Sequence, residues 1–373
     1  MDQGTSGVSH RISAALLAAL LFAPFAARPD AAPSETVVSE QICSGLFFVP
    51  LEWESRDGEK HELMALFDTG ASRSFIDPDA IERISGKRLE VGTRAVMENV
   101  SVAGLNFSKF RPRVRELDHL GLALGQEFDV FLQFEAFDKL LLTLDYGKRE
   151  MRVSKGELPK PDGELVFSTK GRDSRPWIRT RVGSRKRSLL LDSGSNGTIS
   201  VRPHRSIRWV GQSAKIRLAQ GMSDLELNEV GRLDGSIQVG PLEFAEPILS
   251  LTTDTELVGY DVLKHFVLTF DQKNRRVRMQ PLSDSPVRMV SRTGTGALLR
   301  PRGDAVEIAR IVPGSSAQEA GLEPGDRVTH VDGVPVAERG CNPVGEQERA
   351  VEYRVVRGGQ ERVVMLEYEV LVE

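Results

Sequence analysis

Two aspartates stand where apolar runs give way to glycine turns: Phe67-Asp68-Thr69-Gly70-Ala71-Ser72 and Leu191-Asp192-Ser193-Gly194-Ser195. A strand that ends this way delivers a carboxylate to its tip, and the glycine lets backbone amides approach closely. One such turn says little, since Asp-Thr-Gly also occurs in ordinary turns and in phosphoryl-transfer proteins. Two suit a different chemistry. If Asp68 and Asp192 meet, both cannot ionise comfortably, and they share a proton. The ionised member then draws a proton from water attacking an amide carbon, while the protonated member donates to the carbonyl oxygen. Return of the proton releases the amine without a covalent intermediate. No metal and no other cofactor is expected. The six histidines show none of the close zinc-ligand spacings, and Cys43 and Cys341 are too few for a thiolate cluster. Phosphoryl transfer through one aspartate turn fits less well, because it leaves the second turn idle and lacks a phosphate-cradling glycine loop.

The elements that must position these turns recur along the chain. Leu63-Met64-Ala65-Leu66-Phe67 leads into the first turn and Ser188-Leu189-Leu190-Leu191 into the second. Val102-Ala103-Gly104-Leu105-Asn106-Phe107 is answered by Val239-Gly240-Pro241-Leu242-Glu243-Phe244, and Ala123-Leu124-Gly125 by Leu257-Val258-Gly259. Leu141-Leu142-Thr143-Leu144-Asp145 is answered by Val267-Leu268-Thr269-Phe270-Asp271. Offsets run from 124 to 137 residues, and ordered matches at such similar spacing imply two copies of one unit. A pseudo-twofold axis between the copies would bring Asp68 and Asp192 to one interface. Both copies read as β, with short Val, Leu, Ile and Phe runs broken by Gly, Asp and Asn turns. Residues 78–84 form the clearest helix candidate, and residues 155–163 read as the boundary between copies. The basic run at residues 181–187, just before a buried strand, reads as a solvated turn.

Through these aspartate turns the chain resembles the aspartic peptidases of the pepsin and retroviral type over residues 45–285. In that family a hydrophobic-hydrophobic-Gly element closes a ψ-shaped loop beneath each aspartate. Ala123-Leu124-Gly125 and Leu257-Val258-Gly259 are similar to those elements, as is Tyr260-Asp261-Val262-Leu263 to the usual continuation. The resemblance implies two pseudo-symmetric acid-peptidase β lobes, residues 45–158 and 163–285, with Asp68 and Asp192 as the catalytic pair. It assigns supporting places to Thr69, Gly70, Ser72, Ser193, Gly194 and Ser195. The Thr69 and Ser193 hydroxyls are expected to bond across the interface, and the Gly70 and Gly194 amides to hold the carboxylates. The pepsin flap tyrosine is absent, and the flap is placed near residues 94–100. Ala71 stands opposite Ser195, so only Asp192 is expected to gain a nearby hydroxyl and to be the more readily ionised member. The implied substrate is a polypeptide, and the catalytic unit is expected to be monomeric.

From Arg292 the pattern changes. Val312-Pro313-Gly314-Ser315-Ser316-Ala317, Gly321-Leu322-Glu323-Pro324-Gly325-Asp326 and Val331-Asp332-Gly333-Val334-Pro335 resemble a PDZ domain of the bacterial protease-associated kind, over residues 290–373. The resemblance implies a β-sandwich with short helices, so the whole chain reads as all-β. Gly296-Ala297-Leu298-Leu299 is similar to the loop whose amides receive a peptide C-terminus, after which the peptide adds a strand. The helix lining that groove is expected at residues 345–350. A domain that merely packs on the preceding lobes is the alternative.

The chain has 373 residues and a formal net charge of −4, a poor balance for a nucleic-acid partner. Residues 1–30 carry a basic flank, a sixteen-residue uncharged run and a small polar exit, as a secretory signal does. That run is short of the ~20 residues needed to span a bilayer, although an uncleaved anchor is the alternative. Export to a periplasmic or extracellular compartment follows, where Cys43 and Cys341 either pair or remain separate thiols. These features describe an exported aspartic endopeptidase whose PDZ domain docks substrate or partner. The rival is a catalytically inactive peptide-binding adaptor.

Overall fold

The computed structural model describes residues 1, 35–55, 58–107, 110–220, 225–302, 305–341 and 350–373. Nearly all of the expected signal segment, and the expected groove helix at 345–350 except its last residue, lie outside the described residues. The described residues from 35 onward form one compact unit. Strands hold 49% of the chain and helices 10%, consistent with the all-β expectation.

Each copy of the repeat builds a sheet with the same central grammar. In the first, Lys60–Asp68 runs parallel to Val130–Gln133, which pairs antiparallel with Phe75–Ile76, itself parallel to Arg113–Val114. In the second, Arg185–Leu191 runs parallel to Leu257–Val258, which pairs antiparallel with Ile199–Val201, itself parallel to Ile248–Leu251. The interior positions of these strands are almost continuously apolar, as strands covered on both faces require. Leu66, Phe67, Leu132, Leu190, Leu191 and Val258 are each at most 1% exposed.

A further sheet joins the copies through their most alike segment. Leu141–Asp145 pairs antiparallel with Phe266–Asp271, and Thr143 faces Thr269. Either side of that pair, Leu142 meets Phe270 and Leu144 meets Leu268, so an axis through the threonine pair exchanges the two strands. The Thr143 and Thr269 hydroxyls are 3.1 Å apart. Outward from this axis the order is also matched: Glu150–Ser154 then Thr36–Ser39 on one side, Arg276–Pro281 then Val166–Ser168 on the other. Both inner hairpins close by aspartate: Asp145 Oδ1 accepts from Lys148 N and Asp271 Oδ1 from Asn274 N, each at 3.0 Å. One apolar cluster, containing Phe47, Phe67, Leu144, Leu191, Phe244 and Phe270, runs through both copies and the shared sheet.

Two positions depart from expectation. The helix at residues 78–84 is present as Pro78–Ser85, with Asp77 as its N-cap accepting from Asp79 N at 2.8 Å. However, Ala123-Leu124-Gly125 is no ψ-loop strand. It ends a second helix, Asp118–Leu124, and Gly125 caps it at φ 69° with its N–H on Gly121 O. Leu117, Leu120 and Leu124, at helical spacing, cover a cluster with Cys43, Phe48 and Phe131. The strand beneath Asp68 is Val130–Gln133, and Gln133 takes the place that Gly259 holds in the second copy. The expected flap, residues 94–100, forms a ladder with 110–113: Met97 bridges Phe110, and Ala95, Met97 and Val100 are buried in the core.

The third region has its own core of Ile308, Ala317, Val328, Tyr353, Val355 and Leu366. Its sheet runs Ala297–Arg302, Ala305–Ile311, Arg327–Val331, Val351–Arg357 and Gln360–Leu366, with Arg292–Gly294 paired separately to Glu369–Val372. Asp326, 1% exposed, is neutralised by Arg357 and Arg362 at its hairpin end. Cys43 is buried and Cys341 exposed, and the two are not joined by a disulfide.

The shared sheet predicts a specific weak point. Phe270 is 1% exposed and meets Phe134 edge-on at 5.3 Å. Phe270→Ala should cost about 3–5 kcal/mol in chemical denaturation, the range for a buried aromatic replaced by a cavity.

Candidate functional site

The strand pairing brings the two aspartate turns together. Asp68 ends Lys60–Asp68 opposite Gln133, and Asp192 N donates to Val258 O at 3.0 Å. Each turn closes alike, with Ala71 N on Asp68 O at 3.2 Å and Ser195 N on Asp192 O at 3.3 Å. The turns then interlock. Thr69 Oγ1 donates to Leu191 O at 2.6 Å and accepts from Ser193 N at 2.9 Å. Reciprocally, Ser193 Oγ accepts from Thr69 N at 3.0 Å and donates to Phe67 O at 3.5 Å. Thr69 and Ser193 are each 1% exposed, so water does not compete for these bonds.

The carboxyls lie within hydrogen-bonding range of each other. A single amide spans them: Gly194 N donates to Asp68 Oδ1 at 3.1 Å and to Asp192 Oδ1 at 3.0 Å. Gly70 N donates to Asp68 Oδ1 at 2.5 Å. Glycine is imposed here by the opposite carboxyl. A Cβ on Gly70 would stand 2.6 Å from Asp192 Cγ, and one on Gly194 would stand 2.5 Å from Asp68 Oδ1.

Burial raises both carboxyls above the ordinary range. At Asp68 this is opposed by the hydrogen bond with Asp192, by the Gly70 and Gly194 amides and by the charge of Arg175. At Asp192 the neighbouring Asp68 adds to burial, and fewer groups oppose it, so it is raised further. Gly70 and Gly194 both donate to Asp68 Oδ1 whereas Gly194 alone donates to Asp192 Oδ1, an asymmetry that favours the charged form at Asp68 within a pair that titrates together. Ser195 Oγ accepts from Gly197 N at 3.3 Å and lies against Gly259. Ser72 is exposed and stands outside the interlocked set.

Three more side chains belong to the neighbourhood. Arg175 Nη1 donates to Gly70 O at 2.7 Å. Tyr146 and Tyr260 have ring centroids 5.8 Å apart, and the Tyr146 hydroxyl is buried without a partner among the described residues. Burial, then the charge of Asp192, drives its phenol far above the usual range. Tyr146 directly follows the repeated Leu-Thr-Leu-Asp run and Tyr260 directly follows Gly259, so the repeat itself marked both places. Elsewhere, the Asp77, Asp79 and Asp118 carboxylates cluster, but Asp77 already serves backbone amides of Asp79 and Leu117.

Gly296, Ala297, Leu298 and Leu299 lie at the start of strand Ala297–Arg302. Gly296 has φ 82°, accepts from Val312 N at 2.8 Å, and has no room for a Cβ beside Ser315. Ala297 N donates to Thr295 Oγ1 at 3.3 Å. Helix Asp118–Leu124 packs against this strand and its neighbour Ala305–Ile311, and Leu122 joins the third region's core.

The PDZ domain family matches residues 307–342, and the chain carries a PDZ domain near its C-terminus. No curated protein matches the chain. Among solved structures, a photosystem II D1 C-terminal processing protease is similar, at 27% identity over 21% of this chain and 23% of that one, with a TM-score of 0.19. The chain thus spans 23% of that protein's length.

The interlock predicts coupled losses. Thr69→Ala and Ser193→Ala should each cost about 1–3 kcal/mol by leaving buried partners unsatisfied. The double variant should cost less than the sum when denaturation midpoints are compared in a double-mutant cycle.

Proposed function

We propose that the chain is an aspartic-type endopeptidase in which Asp68 and Asp192 activate a water against a peptide bond. The observation that carries this reading is the single Gly194 amide shared by the buried Asp68 carboxyl and the partly buried Asp192 carboxyl, whose turns are locked by Thr69 and Ser193. The arrangement keeps one proton on the pair while its donors stay in place, as general acid–base hydrolysis requires. Asp68 acts as the base toward water, and Asp192 donates its proton to the carbonyl oxygen. Thr69, Gly70, Ser193 and Gly194 preorganise the pair. The domains are read as peptidase lobes at 45–158 and 163–285 and a PDZ domain at 290–373, on an exported chain whose catalytic unit is monomeric. The PDZ domain is consistent with a polypeptide partner and docks a chain end near the peptidase.

The test is incubation of the chain lacking residues 1–30 with an unfolded protein across the acidic and neutral range. Cleavage should follow a bell-shaped pH profile, falling on the acid side as Asp68 protonates and on the basic side as Asp192 loses its proton. Asp68→Asn and Asp192→Asn should each lower the rate by about 10²–10⁴-fold. Unchanged cleavage in either variant excludes this mechanism, and no cleavage by the parent chain leaves the peptide-binding adaptor.

Stability should move with pH in a defined direction. Both carboxyls hold protons more tightly folded than unfolded. Their contribution is therefore full below about pH 4 and lost as pH rises through the folded values. Asp192→Asn, which stays neutral, should raise Tm at neutral pH and leave it nearly unchanged in acid, as read by calorimetry.

A further inference from the structure

A guanidinium from the second copy of the repeat is built into the aspartate turn of the first. Arg175 lies just ahead of strand Trp177–Val182, which pairs with Arg185–Leu191, the strand leading to Asp192. Yet its Nη1 donates across to Gly70 O at 2.7 Å, two residues beyond Asp68. Asp173 takes the rest of the fork: its Oδ2 accepts from Arg175 Nε at 3.1 Å and from Nη2 at 2.7 Å. Asp173 is fixed in turn, because its Oδ1 accepts from Arg175 N at 3.0 Å and from Trp177 Nε1 at 2.9 Å. The guanidinium carbon lies 5.4 Å from the Trp177 ring centroid. Trp177 is 2% exposed, and Gly171 beside it has no room for a Cβ. A planar fork held on three sides is rigid in a way that a lysine ammonium would not be.

We propose that Arg175 is a positioning residue of the aspartate pair: clamped by Asp173 and Trp177, it anchors the Gly70 turn and sets a fixed positive charge beside both carboxyls. The Gly70 carbonyl and amide lie on either side of one α-carbon, so anchoring the carbonyl restrains the turn that gives its amide to Asp68. The charge opposes the burial that raises Asp68 and Asp192. Other groups share the neighbourhood. Tyr146, just past strand Leu141–Asp145, lies within range of the charge of both carboxyls, and the Tyr260 ring stands 5.8 Å from its own. Around the clamp, Arg172 also lies over Trp177 at 5.4 Å, Arg275 donates to the Asp173 carbonyl, and Ser174 donates to Glu135. Asp173 itself, despite its burial, is pulled down to about 2 by Arg175 and Trp177, so it stays ionised and offsets part of the cation. Removing either partner therefore shifts the pair in opposite directions. The consequence for activity rests on the peptidase reading; the effect on proton binding does not.

The experiment is a ¹³C-carboxyl NMR titration of the full chain, with Asp68→Asn and Asp192→Asn to assign the pair. Arg175→Gln should raise both midpoints by about one pH unit, Arg175→Lys by less, and Asp173→Asn should lower them. The acid limb of kcat/KM should move with the midpoints, with KM little changed. Unmoved midpoints in an Arg175→Gln chain that keeps the wild-type far-UV circular dichroism and cooperative melting overturn the proposal. If that variant does not fold, a wild-type titration in Arg175→Lys overturns it instead. Moved midpoints in a chain that cleaves nothing support the positioning role and sink the peptidase reading; cleavage with unmoved midpoints does the reverse.

Discussion

Two carboxyls can be buried side by side only if something holds them against mutual repulsion and against the loss of water. Here that work falls to four hydrogen-bonded links between Thr69 and Ser193 and the neighbouring backbone. The glycines follow from the same constraint, since each turn must come within van der Waals reach of the other's carboxyl. The shared sheet follows as well. With Thr143 facing Thr269, the strands on either side are placed in matching register, and the two turns meet at a common point. Remove the pairing and the grip has nothing to align it.

Much of this was legible from residue order. Asp68 and Asp192, the hydroxyl and glycine beside each, and the Leu-Thr-Leu-Asp and Leu-Thr-Phe-Asp segments all fall where a duplicated unit requires. The misplaced element is instructive. Ala123-Leu124-Gly125 has the same apolar-apolar-Gly pattern as Leu257-Val258-Gly259 but lies 134 residues from it, whereas the turns are 124 apart and the shared threonines 126 apart. Spacing was the better guide than composition, because Leu117, Leu120 and Leu124 also satisfy a helical face. Which amide meets which carboxyl oxygen was not legible at all: Gly70 and Gly194 both reach Asp68 Oδ1, and Gly194 alone reaches Asp192 Oδ1. Arg175 escaped notice for a similar reason, since its partner lies 105 residues away.

The PDZ domain is joined to the rest by more than a linker. Helix Asp118–Leu124 presents Leu117, Leu120 and Leu124 to one apolar cluster and Leu122 to the PDZ core, so a two-turn helix serves two cores at once. Arg292 adds an ion pair to Asp261, next to Tyr260. At the far end, Val372 is 3% exposed and packs with Val230 and Ile248. Three separate contacts of this kind resist rotation about the connecting segment better than any one would.

The Thr143–Thr269 axis relates halves that are spelled independently. In an assembly of identical subunits, any change beside one acid appears beside the other. Here Gln133 stands opposite Gly259 and Ala71 opposite Ser195, so each acid's surroundings can drift alone. Because both halves belong to one polypeptide, their encounter is also insensitive to dilution.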